Sequence, residues 1–181
     1  MRDIQLLITG GPGSGASTTG RMISKVLEIP CFDSDDYFHR PTDPPYQEQY
    51  SKEERRLLLH EKISSSGSWI LSGSISAWGI TDIVFSHAVL LNIDTPIRIQ
   101  RLKLRELERF GSRICEGGDL YDEHIGFLGW ASCYETGELE GRSLPMERNF
   151  IKSNCTHLLE IERELSLEVL TKSIMVFLDG K

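Results

Sequence analysis

The sequence predicts an α/β protein in three layers, with a five-stranded parallel β-sheet and helices on both of its faces. Apolar runs alternate with segments of helical periodicity along the chain, which is the order expected of successive βα units. The first apolar run, IQLLIT (4–9), is almost uninterrupted, as in a central strand buried on both faces. A chain of 181 residues is long enough for one substantial core, so we expect a single domain over 1–181.

Composition and charge narrow the class of protein. The net charge of −7 argues against a general affinity for nucleic acid, which relies on a basic surface. The apolar runs are too short to span a bilayer, and the N-terminal segment lacks the features of a secretory signal, so we expect a cytoplasmic protein without a membrane partner. The four cysteines form no CxxC pair and are expected to be reduced thiols.

A helix follows the first strand after a glycine-rich turn. Met22, Ile23 and Val26 are spaced as on one helical face, which predicts a helix from about Ser17 to Leu27. This order places the glycine-rich turn at the N-terminus of the helix.

The next segments predict a short strand, an irregular loop and a second long helix. PCFDSDDYF (30–38) reads as a strand that ends in acidic residues, and HRPTDPPYQEQY (39–50) contains three prolines that disfavour regular structure. The helix SKEERRLLLHEKISS begins after Ser51, which forms a predicted capping box with Glu54.

Three more apolar runs predict the remaining strands: SWILSGS (68–74), HAVLLNID (87–94) and THLLEIE (156–162). A long helix, TPIRIQRLKLRELERF, follows the fourth strand, with Thr95 at its N-cap and Gly111 beyond its end. RNFIKS predicts a helical turn, and SLEVLTKSIMVFL predicts a closing helix. The polar, glycine-rich segment 112–143 is expected to be a mobile insert with a short helix near 122–134, packed through Phe127 and Trp130.

The glycine-rich turn matches a phosphate-binding loop at all but one position. Gly10, Gly15 and Ser17 fit the pattern GxxxxGK[ST], whereas Ala16 stands where lysine is expected. Glycines let backbone N–H groups converge on phosphate oxygens, and the positive end of the helix adds to that field, so neither effect needs the lysine. The alternative is a turn that only links strand to helix. We predict nucleotide binding by Gly10, Gly11, Pro12, Gly13, Ser14, Gly15, Ala16, Ser17 and Thr18.

Without the lysine, the β and γ phosphates lack a positive charge that would stabilise the transition state. By analogy with the loss of one preorganised donor, the rate of transfer would fall by ~10²–10³-fold. Four arginines of the long helix align along one face and could replace that charge: Arg98, Arg101, Arg105 and Arg109. Arg21, one turn below Ser17, is nearer but more crowded. The alternative is a solvated arginine face paired with neighbouring acids.

Three acidic residues lie where the second strand ends, at the edge of a parallel sheet where ligands gather. Ser17 is in position to give its hydroxyl to a magnesium ion, and Asp33 and Asp35 could hold the water shell of that ion or accept a proton from an attacking hydroxyl. Asp36 is predicted to cap the next helical turn.

With these motifs the chain resembles the nucleoside-monophosphate kinase superfamily. GGPGSGAST is similar to the adenylate-kinase loop, and FDSDDYF resembles the D-x-D segment of shikimate and gluconate kinases. The chain also resembles a group of bacterial adenylate-kinase-like proteins with a lysine-free loop, PTDPP and LSGS. The resemblance covers nearly the whole chain and implies a P-loop NTPase fold, an acceptor-binding segment at about 35–66 and a lid at about 105–145.

The resemblance also implies roles for individual residues. Arg101, Arg105 and Arg109 resemble lid arginines that close on the transferred phosphoryl group. Asp33 resembles the family aspartate near magnesium, and Asp35 resembles the catalytic aspartate that faces the acceptor. The residues implied for acceptor binding are Asp35, Arg55 or its neighbour Arg56, Gly73 and Ser74. Trp78 either lines this acceptor pocket or packs in the core.

Together these features favour a phosphotransferase that uses ATP and Mg²⁺ on a nucleotide or another small hydroxyl or phosphate acceptor. We expect a monomer or homodimer that binds nucleotide and a small acceptor. The alternative is a nucleotide-binding protein with little or no kinase activity because Ala16 replaces the lysine. A third possibility is an interaction domain that binds no nucleotide.

Overall fold

The computed structural model describes residues 3–43 and 47–180, and within them the strands form one five-stranded parallel sheet. The strands are β1 (Gln5–Gly10), β2 (Cys31–Asp33), β3 (Trp69–Ser72), β4 (Phe85–Leu91) and β5 (Cys155–Ile161). Their order is β2-β3-β1-β4-β5, with every neighbouring pair parallel. The predicted sheet is therefore confirmed, with β1 at its centre. Pro44 and Pro45 of the predicted irregular loop lie outside the described residues.

The helices are α1 (Ala16–Leu27), α2 (Asp35–Phe38), α3 (Lys52–Ile63), α4 (Thr95–Phe110), α5 (Tyr121–Ser132), α6 (Leu144–Asn154) and α7 (Leu167–Leu178). A short 3-10 helix, Gly111–Ile114, follows α4. The capping box predicted before α3 is present: the Glu54 amide donates to Ser51 Oγ at 3.2 Å, and the Ser51 amide donates to Glu54 Oε2 at 2.8 Å. RNFIKS is part of α6, which is much longer than the predicted turn.

Two predicted helix caps are wrong. Asp94 is the N-cap of α4, because its carbonyl accepts from the amides of Ile97 and Arg98 at 3.1 Å, and Thr95 is the first residue inside the helix. Asp36 lies inside α2 rather than at its cap. The chain turns into α2 directly after Asp33, so the second strand is shorter than predicted.

Alternate residues of β1 enter separate cores on the two faces of the sheet. Leu7 packs with residues of α3 and α6 on one face. Leu6 and Ile8 pack with residues of α1 and α7, including Ile23 and Ile174, on the other. Burial on both faces explains the uninterrupted apolar sequence of β1. Among the described residues, no helix is both long and apolar enough to cross a membrane.

Candidate functional site

A cleft with a volume of about 1570 Å³ lies over the carboxyl end of the sheet. Its walls come from the loop between β1 and α1, from the segment after β2, from α3 and α4, and from the region of α5. Apart from Arg98 and Arg56, every residue that the sequence predicted for the site lines this one cleft: residues 10–18, Asp33, Asp35, Arg55, Gly73, Ser74, Trp78, Arg101, Arg105 and Arg109. The fold therefore brings the predicted phosphate, metal and acceptor residues together.

The loop of residues 10–15 has the backbone form of an anion nest. Gly13 and Gly15 have φ angles of 83° and 96°, in the left-handed region that favours glycine. The Ser14 amide donates to the Gly11 carbonyl at 3.0 Å, and α1 begins at Ala16 without an acidic residue in its first turn. The free amides at this helix start are suited to phosphate oxygens.

Arg98 differs from the prediction because it lies beneath the loop rather than in the cleft. Its side chain is fully buried. Nε donates to the Ile93 carbonyl at 2.9 Å, and Nη1 donates to the carbonyls of Pro12 and Ala131 at 3.0 and 3.2 Å. Nη2 lies 2.8 Å from a carboxylate oxygen of Glu135. The guanidinium therefore braces the loop and has no donor to spare for a phosphate.

Arg101 braces the loop from the same helix one turn further on. Its Nη1 donates to the carbonyls of Gly13 and Ser14 at 3.3 and 3.2 Å, and its Nη2 lies 2.5 Å from Glu164 Oε1. The carbonyls of residues 12, 13 and 14 thus all accept from arginines of α4. These contacts support the loop backbone from α4.

Arg105 and Arg109 lie further along α4 and also line the cleft. Arg105 is half exposed, and its Nη2 is 3.2 Å from Glu106 Oε1. Such a partly solvated pair contributes little, so a phosphate oxygen can replace the carboxylate. The Arg109 guanidinium lies 5.9 Å from the Phe110 ring centroid.

Ser17 and Asp33 are neighbours, as the metal prediction requires. Burial raises the pKa of the Asp33 carboxyl above its ordinary value, although the nearby Ser17 hydroxyl acts to lower it. Arg21 Nη1 is 3.9 Å from Asp33 Oδ2, and the Asp35 amide donates to Asp33 Oδ1 at 3.2 Å. A hydroxyl and a carboxylate are the hard oxygen donors that Mg²⁺ prefers.

Arg55 is held rigidly on the opposite wall. The side chain is buried, with its guanidinium 3.7 Å from the Phe38 ring centroid and 5.8 Å from that of Trp78. Nε donates to the Tyr50 carbonyl at 2.7 Å, and Nη2 donates to Gln49 Oε1 at 3.1 Å. Burial lowers the pKa of Arg55. Among the described residues, Nη1 has no hydrogen-bond partner, so one edge of the fork is left for a ligand.

The turn after β3 forms the floor between these walls. Gly73 has a φ of 100°, and a Cβ there would lie 2.0 Å from Ser34 Oγ, so only glycine fits. Ser74 Oγ lies 3.1 Å from Ser76 Oγ. Trp78 belongs to the buried core, as one of its two predicted positions requires, and it also lines the cleft.

Sequence reasoning missed three residues beside this floor. Glu147 is 1% exposed, and its Oε2 accepts a hydrogen bond from Thr9 Oγ1 at 3.0 Å. Tyr134 is buried, and Arg142 lines the cleft. All three come from or beside the polar, glycine-rich insert, where no periodic pattern marks an inward-facing position.

Phe127 and Trp130 pack the helix of the insert, as the sequence predicted. Their rings are stacked with centroids 6.1 Å apart, and they pack against Leu102 and Leu128. Both also line the cleft, so the predicted insert helix forms one of its walls.

We expect Glu147→Gln to become more stable relative to the wild type as pH rises. Burial raises the pKa of Glu147 above 4.5, outweighing the Ser74 hydroxyl and the charge of Arg142, which act to lower it. A raised pKa means that the contribution of Glu147 is fully present below its unfolded pKa and is lost as pH rises through its folded pKa. Urea unfolding of both proteins between about pH 5 and 8 would measure the difference. A difference that does not change with pH would contradict this assignment.

The fold and the lysine-free nest define the class: the chain has the fold of P-loop kinases. Shikimate kinase from Bacteroides thetaiotaomicron shares it with a TM-score of 0.57 and 18% identity, over 97% of this chain and 98% of that one. Deoxyadenosine kinase from M. mycoides with bound dATP gives a TM-score of 0.59 and 15% identity, over 97% and 99%. Identities this low show the common fold alone.

A closer relative defines the family. The chain is 31% identical over 178 residues to the "Uncharacterized protein YqaC" of Bacillus subtilis (strain 168), covering 96% of each protein. It therefore belongs to the same family as YqaC. No protein-family model matches the chain.

Proposed function

We propose that this protein is a phosphotransferase that moves the γ-phosphoryl group of ATP to a nucleotide or another small acceptor. The observation that carries the proposal is the single cleft in which a phosphate nest faces cleft-lining arginines of α4 and a buried arginine of α3. Solved kinases that share the fold, including one with bound dATP and one in complex with shikimate, support the same reading.

In this proposal Mg²⁺ is held mainly by the nucleotide. Ser17 and Asp33 supply a hydroxyl and a carboxylate oxygen beside the start of α1, and the described residues contain no cluster of three or more His, Cys, Asp or Glu side chains that could hold a metal unaided. Magnesium commonly binds through one or two protein oxygens together with phosphates and water. When bound, the ion would neutralise charge that develops on the phosphates.

The transfer breaks the bond between the γ phosphorus and the oxygen that bridges it to the β phosphate. A new bond forms from an acceptor oxygen to the same phosphorus, and the electrons of the broken bond remain on the nucleoside diphosphate. Where the acceptor is a hydroxyl, its proton passes to a carboxylate, for which Asp35 at the start of α2 is placed. Arg105 and Arg109 line the cleft where charge develops on the transferred group.

The acceptor binds against the wall formed by the proposed segment 35–66. Arg55 offers its Nη1 edge, which suits an anionic group such as a phosphate or carboxylate. Gly73 and Ser74 shape the floor beside it, and Trp78 closes the pocket. The proposed lid, 105–145, carries Arg105, Arg109 and the α5 wall.

A second candidate is nucleotide binding without transfer. It is favoured by one observation: Arg98 and Arg101, which could have replaced the lysine, are occupied by loop carbonyls. Thermal shifts with ATP, with and without Mg²⁺, test binding, and a coupled assay of ADP release with candidate acceptors tests transfer. Binding without transfer to any nucleotide or small hydroxyl acid would favour the second candidate.

Arg105→Met is expected to lower turnover by ~10²–10³ while the ATP-induced thermal shift remains. The reason is that Arg105 lines the cleft but makes no bond to the loop backbone among the described residues, so its loss removes charge without deforming the nest. Arg113→Met is the matched control, since Arg113 pairs with Asp119 outside the cleft. Equal turnover in the two variants would remove Arg105 from the proposed mechanism.

A further inference from the structure

Three buried polar atoms without hydrogen-bond partners among the described residues lie in one neighbourhood: Tyr134 Oη, Arg142 Nε and Glu147 Oε1. Their side chains act on one another, because the charges of Glu147 and Arg142 both affect Tyr134, and Arg142 also affects Glu147. A buried polar atom without a partner is costly, and native proteins rarely keep several together. Such a group of atoms indicates a place that a polar ligand completes.

This cluster of Tyr134, Arg142 and Glu147 touches the beginning of the phosphate loop. A Cβ on Gly11 would lie 2.8 Å from Cδ1 of Tyr134, and Glu147 bonds to Thr9, which directly precedes the loop. The same added Cβ would lie 2.8 Å from Arg98 Nη1, so the cluster packs against the start of the loop next to Arg98.

The same cluster also borders the acceptor side. The hydroxyls of Ser74 and Ser76, in the turn after β3, lie close enough to Glu147 to act on its pKa. Ser74 and Arg142 both line the cleft. The cluster therefore lies between the phosphate loop and the floor of the proposed acceptor pocket, and Arg142 is the member that lines the cleft.

The arginines that contact the loop backbone are already engaged. Arg98 and Arg101 donate to loop carbonyls, and Arg21 lies 3.9 Å from Asp33. Arg142, in contrast, has a buried Nε without a partner in the described part of the chain, and its guanidinium lies 6.0 Å from the Trp130 ring centroid. An arginine supported by an aromatic ring and not committed to a carboxylate can present its fork to phosphate oxygens.

We propose that Arg142 supplies the positive charge that Ala16 removes from the phosphate loop, binding the terminal phosphoryl group of a nucleoside triphosphate from the side opposite to α1. Tyr134 and Glu147, which are buried and act electrostatically on or with Arg142, are positioning residues. This inference rests on the proposed function, since it requires a triphosphate in the cleft. It gives the role of the missing loop lysine to an arginine near the C-terminal end of the glycine-rich insert.

The test measures ATP and ADP binding by isothermal titration. The variants remove the charge of Arg142, keep it, or return a charge at residue 16. Arg142→Met is expected to weaken ATP binding by about 10–100-fold, the value of a hydrogen bond to a charged group, and to leave ADP binding within about threefold. Adding Ala16→Lys to Arg142→Met should restore at least part of the preference for ATP, because the lysine would return the charge to its usual place. Arg142→Lys, which keeps the charge, should lose less than Arg142→Met.

Arg148→Met serves as the control, since Arg148 lies on α6 and pairs with Glu160 outside the cleft. It should keep the ATP-to-ADP affinity ratio of the wild type, and circular dichroism of each variant confirms that it is folded. If the wild type binds both nucleotides and Arg142→Met keeps their ratio, this inference is wrong and the proposed function stands. If the wild type binds neither nucleotide, both are wrong.

Discussion

Arg98→Met is expected to destabilise the protein by about 3–5 kcal/mol, the range for breaking a buried charge pair by removing one partner. The substitution leaves Glu135 without its arginine and the carbonyls of Ile93, Pro12 and Ala131 without their donor. Methionine fills the space of the side-chain stem but cannot donate. The loss is therefore one of polar partners more than of packing.

Urea unfolding followed by circular dichroism would measure this change, and for a protein of this size a melting temperature lower by about 6–20 °C should accompany it. Lys103→Met, on the exposed side of the same helix, is the control and should leave the unfolding free energy nearly unchanged. Arg98→Lys should recover little, because an ammonium group cannot reproduce the fixed fork of five donors. A loss below about 1 kcal/mol for Arg98→Met would mean that water or a shifted backbone satisfies the freed carbonyls.

The position of Arg98 also shows where sequence reasoning reaches its limit. The intervals between the arginines of α4 correctly predicted a shared helix face, because helical periodicity fixes direction around the axis. Periodicity does not fix depth: the N-terminal turn of α4 packs under the loop, so Arg98 is buried while Arg105 is half exposed. The same spacing therefore grouped Arg98, whose role is structural, with Arg105, which is a candidate catalytic residue.

Other parts of the site were predictable to different degrees. The strand, loop and helix around Gly10 to Ser17 carry strong local signals. A glycine-rich turn after a continuously apolar strand is compatible with few other local structures. The four-residue helix α2 is too short to show periodicity, so the sequence extended β2 through it. Arg142 and Glu147 gave no signal, because the place of Arg142 in the cleft and the contact of Glu147 with Thr9 depend on the path of the whole insert.

Gly13→Ala is expected to abolish nucleotide binding while the rest of the fold remains. At a φ of 83° an alanine costs about 1–2 kcal/mol, and its Cβ would lie 2.5 Å from the Arg98 carbonyl oxygen. That oxygen belongs to the backbone of α4, which is anchored by the buried Arg98 side chain, so it cannot move aside as a flexible side chain would. The loop must move instead, and its amides lose the convergence that phosphate binding needs.

Gly117→Ala is the control that separates the steric clash of an added Cβ from the cost of placing alanine in a left-handed backbone conformation. Gly117 has nearly the same φ, 82°, but nothing lies within 4 Å of its added Cβ. Both variants should lose about 2–8 °C in melting temperature from the left-handed backbone alone. Only Gly13→Ala should also lose the thermal shift given by ATP with Mg²⁺, because only there does the added carbon force the nest to change shape. If Gly13→Ala kept a wild-type shift with ATP, phosphate would have to bind elsewhere in the cleft, and the loop of residues 10–18 would be a connection between strand and helix.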